Sequence, residues 1–468
     1  MTQTNDPKTM RALVYDIKPA QWVANKLIGF RWPSVFYSRL GGLRLTRVPV
    51  PPLPSPHWVR LRPLLGGICG TDISAIFQRP HPANILQAFS SRPALLGHEN
   101  VSIVDAVGSS VTTFSPGDRV VVEPSLSCVP RGIEPLCQPC AAGLFALCEN
   151  FTTGPLPVGS LIGWNSFTGG SWSDYFIAHE SQLYRVPDAI SNEHAVLIDP
   201  IAGALHAVLR YRPQSTERIL GTLGGGNIGG SNVSGNNDGP TSTPMTTSQT
   251  ASSQAASPRA NVLIIGAGPL AIGVVMSLRA LGDTSRISVL VWSHAEGEMM
   301  QSKGADDYIC VSSRDGQQQR YSAVADRIGG QVLHARLTHY TLVGGFDVVY
   351  DCVGTSQALS DALKYARPRG TVIEVGTSQI GTVDTCPVWF SELNIIGANG
   401  RAFERYQGRV LHTYELLMEL MLAGKIKLDG LLTHRFRIEQ YQEAFATIAN
   451  KATTGAIKVA FVHDDKND

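Results

Sequence analysis

The chain has 468 residues, enough for two or three domains, and its 43% hydrophobic and 16% charged residues describe a core-forming protein rather than a disordered one. Its 39 basic and 38 acidic residues give a formal net charge of +1, which argues against partners such as nucleic acid or a membrane surface. The first ten residues are polar and lack an apolar signal segment, so we expect a cytoplasmic protein whose eight cysteines are thiols or metal ligands.

Short apolar runs broken by prolines fill residues 11–62 and predict antiparallel strands joined by turns. The same pattern resumes at residues 101–107, an alternating run, and continues through a Pro-Gly-Asp turn into another apolar run at 119–122. Many short strands with turns between them predict a barrel-like β domain.

A candidate metal site lies between these strands. Cys69 stands in a glycine-rich turn with Thr71 two residues on, and Gly97, His98 and Glu99 follow about thirty residues later. Thiolate, imidazole and carboxylate are the ligand types of zinc, and a catalytic zinc keeps one position open for water or substrate. Taken singly, Cys69, His98 and Asp72 could instead be a buried thiol, a capping imidazole and a turn aspartate.

Four cysteines follow within twenty-one residues in a proline- and glycine-rich segment, which favours a closed tetrahedral zinc site over coincidental core thiols. They are Cys128, Cys137, Cys140 and Cys148. A redox pair at Cys137 and Cys140 is a rival interpretation, although such a pair is expected beside a βαβ unit rather than in a loop. A nucleic-acid zinc ribbon would need a basic face, and this segment has only Arg131 against Glu134 and Glu149.

Residues 221–258 are low in complexity and read as a linker or surface insertion. A Gly-x-Gly-x-x-Gly match at residues 224–229 lies inside it without a preceding buried strand, so we interpret that match as accidental. The better candidate follows residues 261–265, an apolar run that predicts a strand leading into a glycine turn and an apolar helix. The predicted dinucleotide-binding residues of this turn are Gly266, Gly268, Pro269 and Leu270. The alternative is a glycine turn in a βαβ unit that binds nothing.

The expected acidic residue for the adenosine ribose of NAD is missing at the end of the next strand, where Ser293 and His294 stand instead. These two could accommodate a 2′-phosphate, but no arginine accompanies them, so NAD and NADP both stay open with a lean towards NADP. Apolar runs then alternate with helical patterns up to residue 375, which predicts a parallel, doubly wound sheet.

The sequence resembles the zinc-dependent medium-chain alcohol dehydrogenases in three places. These are the turn at residues 67–72, the Gly-His-Glu motif at 97–99, and the cysteines Cys137, Cys140 and Cys148. This resemblance implies an α/β protein with a GroES-like β-barrel catalytic domain and a doubly wound Rossmann domain. It implies a catalytic domain at residues 1–205 with a zinc lobe at 124–150, a Rossmann domain at 206–399, and a return to the catalytic domain at 400–468. Residues 21–42 read as an insertion relative to the family.

The resemblance also implies roles for single residues. Asp199 falls where family members carry a residue facing the metal, so it is a predicted fourth ligand of the catalytic zinc, although it could simply cap a helix. Ser74 stands where better-known members place a relay histidine. The chain departs from the family in extra residues between Cys69 and His98, and in the eight residues between Cys128 and Cys137.

These observations predict an oxidoreductase with two zinc ions per chain that transfers a hydride between an alcohol, polyol or sugar hydroxyl and NAD(P). Thr71 is expected to pass the hydroxyl proton outward. A small-molecule substrate and a homodimer or homotetramer are expected. The rivals are an aldehyde reductase using the same residues and a non-catalytic dinucleotide-binding redox sensor.

Overall fold

The computed structural model describes residues 8–211, 259–312, 314–336 and 339–463. The low-complexity segment 221–258 and its accidental glycine match at 224–229 lie outside these residues.

Antiparallel sheets make up the first part of the described chain. Its strands are β1 (Thr9–Tyr15), β2 (Leu43–Pro49), β3 (Trp58–Gly67), β4 (Ala94–Leu95), β5 (Glu99–Val107), β6 (Arg119–Val122), β7 (Phe176–His179) and β8 (Leu183–Arg185). β1 pairs with β2 and β4, whereas β3, β5, β6 and β8 follow one another in a larger sheet and β7 also pairs with β3. Buried and half-buried residues alternate along the middle of β3, because successive side chains point to opposite faces of a sheet.

The helices of this part are short, with one exception. They are α1 (Pro19–Ile28), α2 (Gly70–Ile76), α3 (Gln138–Ala141), α4 (Asn192–Ala195) and the longer α5 (Ile198–Arg210). The prediction of only strands and turns over residues 11–62 is wrong for 19–41, which form α1 and two 3₁₀ helices (Pro33–Tyr37 and Arg39–Gly41). Pro19 stands at the first helical position of α1, where its fixed φ favours a helix and its missing N–H costs no bond.

A parallel sheet forms the second part. Its strands run in the order β11 (Asp307–Cys310), β10 (Arg286–Val291), β9 (Asn261–Ile265), β14 (Phe346–Asp351), β15 (Ala366–Glu374) and β16 (Asn394–Gly397). Two antiparallel hairpins lie outside it, β12 (Gln331–His334) with β13 (Tyr340–Val343) and β17 (Phe403–Tyr406) with β18 (Arg409–His412). The sheet order reverses at β9, and this reversal is where doubly wound sheets bind their ligands.

Helices connect the parallel strands. They are α6 (Pro269–Ala280), α7 (His294–Ser302), α8 (Gln317–Ile328), α9 (Ser356–Tyr365) and α10 (Cys386–Phe390). The remaining elements are α11 (Thr413–Leu422), β19 (Leu432–Arg437), α12 (Tyr441–Ala449), α13 (Lys451–Thr454) and β20 (Lys458–Val462). β20 pairs antiparallel with β3 and parallel with β19, so the last strands extend the large sheet of the first part.

One apolar cluster runs through both parts, because α5 packs directly against α6. Ile201, Ala204 and Leu205 of α5 belong to the same buried cluster as Ile272 of α6. A Cβ on Gly273 would lie 2.6 Å from the Ala204 Cβ, so the two helices approach too closely for a side chain at that position. No helix in the described ranges is long and apolar enough to cross a membrane.

Candidate active site and metal centres

Cys69 lies immediately before α2, in the turn that leads out of β3. Its backbone N–H donates to Asp72 Oδ2 at 3.2 Å, and the Thr71 hydroxyl donates to Cys69 Sγ at 3.1 Å. Asp72 is fully buried and acts as the capping carboxylate of α2. The turn therefore fixes a thiol and a hydroxyl side by side.

Pairing between β3 and β5 brings the second motif to this turn. Gly67 lies opposite Glu99 in the antiparallel register. A Cβ on Gly67 would lie 2.4 Å from Glu99 Oε2, and a Cβ on Gly97, whose φ is +99°, would lie 2.5 Å from Ser171 Oγ. Glycine is needed at both positions, because a side chain at Gly67 would push the two motifs apart and one at Gly97 would collide with Ser171 in a left-handed backbone conformation.

Three of the predicted zinc ligands meet here. One possible ligand atom from each of Cys69, His98 and Glu99 lies within 4.8 Å of the others. Glu99 Oε1 is buried and has no hydrogen-bond partner in the described structure. Buried polar atoms are rarely left unpaired, and this donor set is one that zinc prefers. The cluster fits a zinc ion.

A second carboxylate orients the imidazole. Asp72 Oδ1 lies 3.6 Å from His98 Nδ1, and both side chains are buried. Burial raises the pKa of Asp72 to about 6 against the opposing charge of His98. Burial lowers the pKa of His98, but the charges of Asp72 and Cys69 outweigh it and raise that pKa to about 10. Asp72 thus stands where the carboxylate that orients a metal-ligating histidine is commonly found.

Glu99 also has a basic partner that the sequence did not reveal. Lys458 Nζ donates to Glu99 Oε2, and both side chains are almost completely buried. Lys458 comes from β20, at the far end of the chain. The pair holds one carboxylate oxygen of Glu99 and leaves the other for the cluster.

Asp199, the predicted fourth ligand, has partners of its own. It lies in the first turn of α5, but it is not a member of the group formed by Cys69, His98 and Glu99. Arg401 donates to its Oδ2, and the Tyr414 hydroxyl donates to its Oδ1. The physical reason is that both oxygens are already bound by buried donors on other elements. Arg401 also lies 3.9 Å from the buried Glu123, so these four residues form a polar network beside the cluster.

The four cysteines form a second cluster, which includes Cys128 in spite of the eight residues that separate it from Cys137. One sulfur from each of Cys128, Cys137, Cys140 and Cys148 lies within 4.8 Å of the others, and all four are free thiols in the structure. Cys128 Sγ lies 3.7 Å from Cys148 Sγ, which is far longer than a disulfide bond. Four sulfurs at this spacing fit a tetrahedral zinc site.

Amide groups point at these sulfurs. Asn150 donates its side-chain N–H to Cys128 Sγ at 3.2 Å and its backbone N–H to Cys148 Sγ at 3.3 Å. The backbone N–H of Cys137 donates to Cys128 Sγ at 3.5 Å. Hydrogen bonds to sulfur favour the thiolate, which is the form that binds a metal.

The dinucleotide turn lies at the centre of the parallel sheet. Gly266 follows β9 with φ of +109°, and Gly268 is the N-cap of α6. A Cβ on Gly268 would have no heavy atom within 4 Å, so the space in front of the helix N-terminus is open. Backbone N–H groups and the helix dipole favour a phosphate there.

The residues at the end of β10 already have partners. Ser293 Oγ accepts the Glu296 N–H at 3.2 Å as the N-cap of α7, and His294 Nδ1 lies 3.2 Å from the Tyr308 hydroxyl. Glu296 Oε2 accepts the backbone N–H of Trp292 at 3.0 Å. Residues 292–296, which follow β10, include no arginine for a 2′-phosphate.

Comparison with known families agrees with this arrangement. Residues 55–188 match the alcohol dehydrogenase GroES-like domain, and residues 269–415 match the zinc-binding dehydrogenase domain. The chain belongs to the zinc-dependent medium-chain dehydrogenase/reductase family. The predicted fold class, a GroES-like catalytic domain with a doubly wound Rossmann domain, is thereby confirmed, and so is the prediction of an oxidoreductase that uses zinc and NAD(P).

Relatives of this dehydrogenase act on hydroxyl compounds. L-Idonate 5-dehydrogenase of Vitis vinifera is 28% identical, covering 90% of this chain and 92% of that protein. Sorbitol dehydrogenase of Arabidopsis thaliana is 25% identical, covering 87% and 90%. Zinc dependent alcohol dehydrogenase 2 of Streptococcus pneumonia has a similar fold, with a TM-score of 0.65 and 20% identity over 98% of this chain and 100% of that one.

Proposed function

We propose that this dehydrogenase oxidises a polyol or sugar alcohol at a catalytic zinc held by Cys69, His98 and Glu99. The observation that carries the proposal is the compact cluster of these three ligand types, with the Thr71 hydroxyl 3.1 Å from the Cys69 sulfur. The polyol and sugar-acid dehydrogenases among its relatives support the substrate class. Asp199 is left out of this zinc shell because Arg401 and Tyr414 bind both of its oxygens.

When bound, zinc supplies a Lewis acid that polarises the substrate oxygen and lowers its pKa. Thr71 stands beside the ligand Cys69, where its hydroxyl can take the alcohol proton and pass it outward. Ser74 lies one helical turn further along α2, on the same side as Thr71 because residues three apart are neighbours on a helix. Asp72 keeps the His98 ring in place, and Lys458 does the same for Glu99.

The cofactor would lie across the carboxyl end of the parallel sheet. Gly266 and Gly268 would let the backbone approach the pyrophosphate, with Pro269 and Leu270 at the helix N-terminus. Ser293 and His294 would lie next to the adenosine ribose. The four cysteines would hold the second, structural zinc, making two zinc ions per chain.

We also infer a cytoplasmic homo-oligomer. The edge strand β16 leaves Ile395 exposed, and α10 beside it exposes Trp389 and Phe390 almost fully. An apolar edge of this kind is a template for pairing with another copy. All eight cysteines are free, which is usual in a reducing compartment. Light scattering on the purified protein measures the oligomeric state.

The experiment that tests the function is an assay of purified protein against a panel of polyols, sugar alcohols and simple alcohols with NAD and with NADP, alongside its zinc content. We expect turnover of a polyol and two zinc ions per chain. Cys69→Ser should abolish turnover and remove one zinc, whereas Cys137→Ser should remove the other. Absence of turnover with any hydroxyl substrate, in protein that holds zinc at Cys69, would contradict the proposal.

A further inference from the structure

Arg131 lies between the first and second cysteines of the four-cysteine cluster, in the part of the chain that is longer than in the family. Its side chain is fully buried. The guanidinium donates to five backbone carbonyl oxygens at 2.8 to 3.1 Å, those of Leu126, Thr153, Leu156, Pro157 and Gly159. These carbonyls lie on both sides of the cysteine segment, so one side chain ties its beginning to its end.

Carbonyl oxygens satisfy the donors of Arg131 but do not neutralise its charge. Among the ion pairs between described residues, none involves Arg131, although a buried charge normally has a partner of opposite sign. Thiols of the cluster, which can become negative, lie on either side of Arg131 along the chain, since its partner Leu126 is two residues before Cys128 and its partner Thr153 is five residues after Cys148. Burial lowers the pKa of Arg131, whereas the charges of Cys148 and Cys128 raise it.

Four thiolates around a zinc dication have a net negative charge, and a buried cluster of that charge needs a cation near it. We propose that Arg131 is the positioning residue of the four-cysteine site, which braces the cysteine segment and balances the charge of the metal–thiolate cluster. This inference rests on the proposed structural zinc. It explains how the segment can tolerate eight residues between Cys128 and Cys137, because Arg131 supplies the cross-connections that a tighter loop would supply by itself.

The test compares the release of zinc from the full chain carrying Arg131→Met, Arg131→Lys or no substitution, using excess chelator. Arg131→Met should release one of the two zinc ions about 10 to 100 times faster, the usual effect of removing a group that supports a metal ligand. Arg131→Lys keeps the charge and should release zinc at a rate between those of Arg131→Met and the unsubstituted protein. Arg119→Met is the matched control, because Arg119 donates to Asn192 and to the Pro187 carbonyl, outside the cysteine segment, and should not affect zinc release.

Cobalt(II) substitution gives a readout that a purely structural brace would not change. Loss of the positive charge should shift the sulfur-to-cobalt charge-transfer absorption in Arg131→Met, and Arg131→Lys should restore it. Zinc release from Arg131→Met at the wild-type rate would overturn the proposal, and equal spectra and release rates for the two variants would overturn its charge-balancing part. If the unsubstituted protein holds one zinc and Cys137→Ser does not lower that content, the structural zinc itself is absent and the proposal fails with it.

Discussion

Thr71 has two roles that a mutation can separate. Its hydroxyl donates to Cys69 Sγ and could merely cap the turn, or it could take the substrate proton. Thr71→Ser keeps the hydroxyl and should keep most activity. Thr71→Ala should lower kcat by about 10² to 10⁴, the usual contribution of positioned proton transfer. Steady-state kinetics measures kcat of both variants, whose zinc content should be unchanged. Normal turnover by Thr71→Ala would show that Thr71 only caps the turn.

The charge of Arg401 compensates the buried carboxylate of Asp199. Removing it by Arg401→Met leaves a buried carboxylate with only Tyr414 as donor, and breaking such a pair costs about 3 to 5 kcal/mol of unfolding free energy. Adding Asp199→Asn to this variant should restore part of the loss, because the uncompensated charge disappears. Chemical denaturation measures the free energy of unfolding of the single and the double variant. Arg409, which pairs with Glu419 at the surface, is the control, and its substitution by methionine should change stability little. A stable Arg401→Met protein would show that the network does not need its cation.

At the scale of elements, two glycines of α6 have different roles, Gly268 at its N-cap and Gly273 inside the helix. Space is open around Gly268, so Gly268→Val should fold normally but fill the place of the pyrophosphate. The expected result is loss of NADH binding, measured by fluorescence titration, with an unchanged melting temperature. Gly273→Val should instead lower the melting temperature, because its side chain would collide with Ala204. Any loss of NADH binding in this variant should follow from the loss of stability. Normal NADH affinity in Gly268→Val would mean that the cofactor lies elsewhere.

The elements that could be predicted are those whose signals are local. The strand, glycine turn and helix at 261–280 form one continuous stretch of sequence. The Cys69 turn and the Gly-His-Glu motif are each continuous in the same way. Predictions failed where a local pattern was ambiguous, as at residues 19–41, where short apolar runs with prolines formed a helix.

At the scale of the whole molecule, the residues that could not be predicted are long-range partners. Lys458 meets Glu99 across 359 residues, and Arg401 meets Asp199 across 202. The hydrophobic pattern of a sequence does not show whether a lysine or arginine will be buried. Its acidic partner comes from a distant element and is identified only in the folded structure. The ligands of both metal clusters come from short motifs, whereas the charges that support them come from every part of the chain.

The close contact of α5 with α6 has a consequence for how the polypeptide can be divided. Residues 212–258 join α5 to β9, yet the apolar core passes from one side of that connection to the other through Ala204 and Gly273, and β20 adds to the sheet of β3. Two separately expressed polypeptides, 1–211 and 259–468, should therefore reassemble into one active complex, detectable by co-purification through a tag on either piece. Gly273→Ala in the second piece should weaken that reassembly, because the added methyl group stands where the two pieces must touch. The packing of α5 on α6 and the pairing of β20 with β3, rather than the covalent connection, would then be what makes the two pieces a single enzyme.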